Sequence, residues 1–319
     1  MRQQIIVSKH LGVTVLAGIS RFCLSVLLVL VLAGCSTNPA TGRSQINLLS
    51  ESEEISLGEE AAPGFLDAYG GSISDSQVLS YVRNLGHQLA AVSERPELPW
   101  AFEVVDSSVI NAFALPGGKV FISRGLLEKM TNEAQLAGVL GHEVGHVTAQ
   151  HIGQQMARAT GVQLGLVMAG IAVSAADDEL LATLGLVGGQ LAAGSYLLKY
   201  GRDQEHEADE LGLRYMTRLG FDPIGQVQVM RILKDASGGG GQIEFLSTHP
   251  LPESRIERLS RMIGERYPDS GSAAYGLGAQ RFEQEVLSRL RALPPAKHPK
   301  SSASAHPIGC VTCSHAWGG

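Results

Sequence analysis

A chain of 319 residues, 44% of them hydrophobic, is long enough to bury one sizeable core with a small appendage. The formal net charge is −6; without the first 34 residues, which hold three bases (Arg2, Lys9, Arg21) and no acid, 22 bases face 31 acids, a net −9. So acidic a chain gives no electrostatic case for binding nucleic acid, and four cysteines are too few for a disulfide scaffold.

Residues 1–20 are mildly basic, Phe22 to Ala33 is an apolar run of about a dozen residues, and Leu32-Ala33-Gly34-Cys35 leads into a polar stretch. So short a run with small residues at its end fits an export signal better than a spanning helix, which needs roughly 20 residues. The alternative, an uncleaved anchor from Leu11 to Gly34, would carry Arg21 inside the bilayer. The Leu-Ala-Gly-Cys string resembles the bacterial lipobox. That resemblance implies cleavage before Cys35, lipidation of its thiol and, with Ser36 following, delivery to the outer membrane.

From Ser36 to about Pro63 the polar, turn-rich sequence with acids at 51, 53, 54, 59 and 60 reads as a tether plus a short helix. Asp75 is a plausible N-cap for a helix over 75–93, whose apolar stripe runs through Val78, Leu79, Val82, Leu85, Leu89 and Val92. His87 on that helix reads as a surface or packing residue. Strands are expected around Trp100–Val105 and at Lys119–Ser123, the second beyond a Pro116-Gly117-Gly118 turn. Asn111-Ala112-Phe113-Ala114-Leu115 between them is either the lip that holds an extended substrate by main-chain bonds or an ordinary supporting hairpin.

Thr131 is a good N-cap and Glu133 a good first-turn acid for the next helix, expected to run to about Arg158. Inside it stands His142-Glu143-Val144-Gly145-His146. Histidines four apart lie on one helix face, about 6 Å along the axis. Both imidazoles can then reach one tetrahedral Zn²⁺, with Glu143 beside the open position. A surface helix with two ordinary histidines is the alternative, but Leu136, Val139, Leu140, Val144 and Val147 mark the helix as largely buried, and buried ionisable groups need partners or a metal. His151 lies about 140° round from His146, off the ligand face. It reads as a group supporting the ligands or as a surface residue.

Gly161–Ala176 and Leu180–Tyr200 are apolar and interrupted by acids, a hydrophobic hairpin over the site or an element that dips into lipid. Glu205-His206-Glu207-Ala208-Asp209 opens a helix ending near Gly220. Glu205 and Asp209 are four apart, so one can bind metal while the other accepts an N–H from a ligating histidine. Glu207 is a rival ligand but faces elsewhere, and His206 has no assigned role. Four glycines at 238–241 form a flexible loop, after which His249, held extended by Pro250, could project to the metal or to a substrate carbonyl. One more amphipathic helix is expected at Arg281–Leu293, and a low-complexity tail follows. Cys310 and Cys313 in that tail read as a disulfide loop or idle thiols.

Asn-Ala-Phe-Ala-Leu-Pro-Gly-Gly from 111, the His-Glu-Val-Gly-His run, Glu-His-Glu-Ala-Asp from 205 and Thr-His-Pro-Leu-Pro-Glu-Ser-Arg from 248 together resemble the metallopeptidase family of HtpX, BepA and LoiP, whose wider group includes the CAAX prenyl and Oma proteases. The resemblance covers about Asp75 to Arg261. It implies an α+β, mainly helical zincin-like domain with a small β-sheet whose edge strand lines the active site. It further implies one zinc held by His142, His146 and Glu205, Glu143 as catalytic base, Asp209 as supporting carboxylate, His249 near the metal and able to cap it, and Arg255 at the active-site edge. Asn111, Ala112, Phe113 and Ala114 would bind substrate. Neither the tetratricopeptide extension of BepA nor the multi-span domain of HtpX has a counterpart here, so the lipoprotein members are nearest. The expected organisation is a signal peptide at 1–34, a lipidated tether and short helix at 35–72, the peptidase domain at 73–268 and an extension at 269–319. The expected activity is zinc-dependent endoproteolysis in the periplasm, on unfolded or misassembled envelope proteins, with a lipid tether at Cys35 and outer-membrane assembly machinery as a partner. The competing reading is a zinc-stabilised chaperone that does not cleave.

Overall fold

In the computed structural model residues 35–173, 199–237, 244–249 and 253–298 are described. Strands β1 (Cys35–Thr37) and β2 (Ser44–Ile46) pair antiparallel. Their connection is an Asx turn: Asn38 Oδ1 accepts from the backbone N–H of Ala40 (2.9 Å) and of Thr41 (3.2 Å). Helix α1 (Glu51–Ala68) follows, started by a reciprocal capping box between Ser50 and Glu53. The stretch expected to be a tether is therefore folded. Its polar residues are not solvating a loose chain but making specific bonds, such as Gln45 Nε2 to Gln150 Oε1 at 2.6 Å.

Helix α2 (Ser76–Ala91) begins where Asp75 accepts from the N–H groups of Gln77 and Val78, as its sequence predicts, and buries Val78, Val82, Leu85 and Leu89. His87 is exposed and sets its ring edge-on to Phe102 at 5.3 Å. Strands β3 (Ala101–Val105), β4 (Ala112–Leu115) and β5 (Lys119–Ser123) form a sheet in the order β3-β5-β4, parallel between β3 and β5 and antiparallel between β4 and β5. The β4–β5 turn places Gly117 and Gly118 at φ 70° and 90°, a region only glycine enters without strain. β4 is an edge strand with both faces covered. Phe113 and Leu115 pack with Phe65 and Tyr69 of the α1 side, whereas Ala112 and Ala114 enter the main core.

A short α3 (Arg124–Leu127) leads to α4 (Glu133–Thr148), in which every residue is buried. Its N-cap is Asn132, not Thr131. Asn132 Oδ1 accepts from Gln135 N at 3.0 Å, while Thr131 stands one residue outside and exchanges two bonds with the Gln135 side chain. Nor does α4 continue to Arg158. It stops at Ala149, Gln150 adopts a left-handed φ of 56°, and α5 (His151–Val173) sets off in a new direction. Gln150 is held there by Gln45 and by Glu54, whose Oε1 accepts from its Nε2 at 3.0 Å.

Helices α6 (Arg202–Arg218), α7 (Ile224–Ser237), the single turn α8 (Phe245–Thr248) and α9 (Glu253–Arg266) complete the surroundings of α4. A last helix runs from α10 (Ala279–Phe282) through a π segment (Glu283–Leu287) into α11 (Ser288–Ala292). Its Phe282, Val286 and Leu290 join the same core cluster as α2 and α4, so the boundary drawn at 268 from composition is not a gap in packing. Among the described residues no helix is long and apolar enough to cross a membrane. Most of the apolar hairpin read at 161–200 lies outside the described residues, as do the signal at 1–34, the glycine run and the two tail cysteines.

Candidate metal centre

Helix α4 meets α6 at close range because glycines face each other where they cross. A Cβ on Gly141 would lie 3.2 Å from Gly212 Cα, and one on Gly212 would lie 2.9 Å from His142 N. This proximity brings the carboxylates of α6 to the histidines of α4. The Nε2 atoms of His142 and His146 are 3.0 Å apart. Glu205 Oε2 lies 3.5 Å from the first and Glu205 Oε1 3.5 Å from the second. His249, at the end of α8, puts Nδ1 3.0 Å from Glu205 Oε1 and 3.4 Å from His142 Nε2. These four buried side chains each offer an atom within 4.8 Å of all the others, so together they could hold a metal ion.

The residues fit a divalent metal on grounds of their own. Three imidazoles and one carboxylate are the donors a borderline-soft divalent cation takes, and their free electron pairs converge in a dry interior. Glu143, fully buried beside them, has two oxygens with no hydrogen-bond partner, a costly state that a water molecule between it and a cation would relieve. Burial also lifts the Glu143 carboxyl above its ordinary pKa, which suits a group that must collect a proton and release it.

Behind the donors sits a second set of charges. His142 Nδ1 lies 3.1 Å from Asp209 Oδ1. Arg255 donates from Nε to Asp209 Oδ2 (2.9 Å) and from Nη2 to Asp209 Oδ1 (2.7 Å), while its Nη1 lies 2.5 Å from Glu205 Oε2. Burial alone would raise Asp209, but Arg255 and His142 hold it down to about 2. Burial likewise opposes charge on His142, yet Asp209 and Glu205 outweigh it and hold the imidazole up to about 9. His146, with burial and the neighbouring His142 acting together, is pushed well below its ordinary value. The two adjacent histidines are thus pushed in opposite directions, because both meet Glu205 but only His142 also has Asp209 behind it.

The structure brings together His142, Glu143, His146, Glu205, Asp209 and His249, all singled out in the sequence. Arg255 is a correction: it does not line the edge of the site but is fully buried behind two carboxylates. Ala112, Phe113 and Ala114 lie in β4, the edge strand that packs against α4, and Asn111 stands just before it, its Nδ2 donating to Tyr69 Oη at 3.3 Å. The His249 turn is tied to this edge, since Phe245 N donates to Ile110 O at 3.3 Å. Sequence reasoning missed two aromatic neighbours. The Tyr200 ring lies 3.8 Å from that of His146, and Phe245 stacks on His249 at 4.4 Å. It weighed Glu207 only as a rival ligand facing elsewhere, whereas Glu207 Oε2 accepts from His151 Nε2 at 2.8 Å. The signal for that pair was present only as an acid and a histidine near the motifs, and it becomes readable once the bend at Gln150 is known.

A family model described as peptidase family M48 matches residues 76–263, which contain all four motifs. The chain is 31% identical to the mitochondrial metalloendopeptidase OMA1 of Schizosaccharomyces pombe over 71% of its length and 66% of that protein. It is 32% identical to a beta-barrel assembly-enhancing protease of Yersinia pestis over 79% of its length and 55% of the relative. With the Escherichia coli protein of the same name the identity is 29%, over 81% of this chain and 52% of the other. The chain thus spans between half and two thirds of the length of these relatives.

Proposed function

The chain belongs to peptidase family M48, and on that premise we propose that it is a zinc-dependent endopeptidase of the bacterial cell envelope that cleaves unfolded or misassembled envelope proteins. The observation that carries the reading is the Glu143 carboxylate, fully buried and without a hydrogen-bond partner beside four converging donor atoms, with His249 Nε2 3.7 Å from its Oε1. His142, His146 and Glu205 would hold the ion. When bound, zinc lowers the pKa of a water molecule towards about 7 and polarises a substrate carbonyl. Glu143 accepts a proton from the water that attacks the scissile carbon and delivers it to the departing amine. Asp209, backed by Arg255, keeps His142 oriented. β4 offers an extended substrate the main-chain groups of a sheet edge, with Asn111 to Ala114 as the contact.

His249 takes the fourth donor position, which the substrate needs, so cleavage requires its turn to withdraw. This makes His249 a latch rather than a permanent ligand. Replacing it by Ala is expected to raise basal proteolysis; unchanged or lower turnover would leave it a structural or catalytic role. The envelope assignment draws on the relatives named as beta-barrel assembly-enhancing proteases and on the lipobox-like run ending at Cys35, which would tether the enzyme to the outer membrane from the periplasmic side and within reach of assembly machinery there. Casein digestion by the purified protein tests the whole reading. Glu143→Gln should retain zinc and fold while losing at least about a hundredfold in rate, and a chelator should silence the parent. A Glu143→Gln protein that digests casein like the parent refutes the mechanism, and a zinc-loaded parent that never cleaves points to a chaperone.

A further inference from the structure

His146 has support that differs from that of His142. The imidazole of His142 meets Asp209 directly, whereas His146 Nδ1 lies 2.8 Å from Nδ1 of another histidine, the fully buried His151. His151 Nε2 in turn lies 2.8 Å from Glu207 Oε2. The carboxylate fixes the protons along this chain. Since Glu207 can only accept, His151 donates from Nε2 and keeps a lone pair on Nδ1. That lone pair accepts from His146 Nδ1–H, which leaves the lone pair of His146 on Nε2, the atom that faces His142 and Glu205.

The arrangement depends on two departures from regular structure. Glu207 is two residues from Glu205, about 200° round the helix, and cannot reach the ion itself. His151 is five residues past His146 and would point elsewhere on a continuous helix. The left-handed Gln150 swings His151 back so that it spans the gap between them. The far side of Glu207 is closed by the hairpin that precedes α1. Asn38 Nδ2 donates to Ala149 O at 3.1 Å and lies 3.5 Å from Glu207 Oε2, and Thr41 and Arg43 stand beside the same carboxylate and favour its ionised form. This hairpin lies before the residues that the family model matches.

We infer that Glu207 and His151 are positioning residues for the metal centre, acting in series on His146, and that residues 38–43 form a brace that keeps Glu207 in place. The inference rests on zinc binding at His142, His146 and Glu205. If the Glu207–His151 pair only neutralised a buried histidine, it would affect folding and not the ion.

The test measures zinc affinity of the full-length chain by competition with a chelator, and in parallel the melting of each protein in excess chelator. Glu207→Gln keeps the size of a side chain at the margin of the core, and is expected to bind zinc about 10- to 100-fold more weakly while melting with the parent in chelator. Its kcat should fall with KM unchanged. In a His151→Phe background the same substitution should cost nothing further, because the link is already cut. Asn38→Asp retains the Oδ1 acceptor of the turn but loses the Nδ2 donor, and should weaken zinc binding in the same direction. A Glu207→Gln protein that binds zinc like the parent overturns the inference, as does one that loses the same factor with and without His151. A parent that binds no zinc would instead refute the metal assignment itself.

Discussion

A guanidinium with no access to solvent needs carboxylates on more than one side, and Arg255 has Asp209 and Glu205. The planar fork spans both, so one cation fixes the spacing of a proposed metal ligand and of the carboxylate behind its neighbour. Arg255→Met would leave two buried carboxylates facing each other and should destabilise the fold by about 3–5 kcal/mol, read from urea unfolding in the presence of chelator. Arg255→Lys, a single point charge, should recover only part of this. His142, Glu143, His146, Glu205 and Asp209 were legible in the sequence because spacing within a helix fixes which side chains share a face. The burial of Arg255 was not, because only tertiary packing decides whether an arginine sits at the lip of a cavity or in its wall. Asn132 took the cap from Thr131 for a similar reason: both residue types can cap, and one residue of offset is settled by the angle at which the chain enters the helix.

At the level of elements, the crossing of α4 and α6 determines the site. The backbone of Gly212 comes so near that of His142 that a methyl group on it has no room. Gly212→Ala is expected to wedge the helices apart, at about 1–3 kcal/mol of stability, and to weaken zinc binding more than it weakens folding because three donors must stay in register across the gap. Calorimetry with and without the ion separates the two losses. Helix α2 was readable from its apolar stripe and Asp75 cap, α6 from its acidic start and the glycine at its end, and β5 from the turn before it, whereas α7 was not read. The end of α4 was not readable, since nothing in a polar Gln150 announces a left-handed residue. It is the bonds from Gln45 and Glu54, far away in sequence, that pay for it. The hairpin escaped for the same reason, while α1 was foreseen only as a short helix: polar residues look like a solvated tether until their partners are known.

Across the whole molecule, α2 and the last described helical segment, α11, are joined to one core. Asp75 caps α2 and also binds Arg289 of α11, the Nε lying 3.0 Å from Oδ2. Burial would raise the Asp75 carboxyl, but Arg289 and the N–H groups of Val78 and Gln77 outweigh it and hold its pKa below the ordinary value. The bound form is then the ionised one. Its contribution is complete above the ordinary carboxylate pKa and is lost as the pH falls through the lower, folded value. Asp75→Asn keeps a capping side chain but forfeits the ion pair. It should cost of order 0.5–1 kcal/mol at pH 7, and the difference from the parent should shrink in acid, as urea unfolding between pH 7 and pH 3 would show. The family resemblance, read over about Asp75 to Arg261, carried the architecture of that stretch. It did not extend to this docking of the C-terminal helix, which composition alone had set apart as an extension.

A loose tether gives an enzyme range, each slack residue adding up to about 3.5 Å. Here β1 starts at Cys35 itself and is pinned to β2 from that residue on. An acyl chain on Cys35 would therefore join the bilayer to the body of the enzyme with no leash between them, and only polypeptides lying close to the lipid headgroups would come within its grasp.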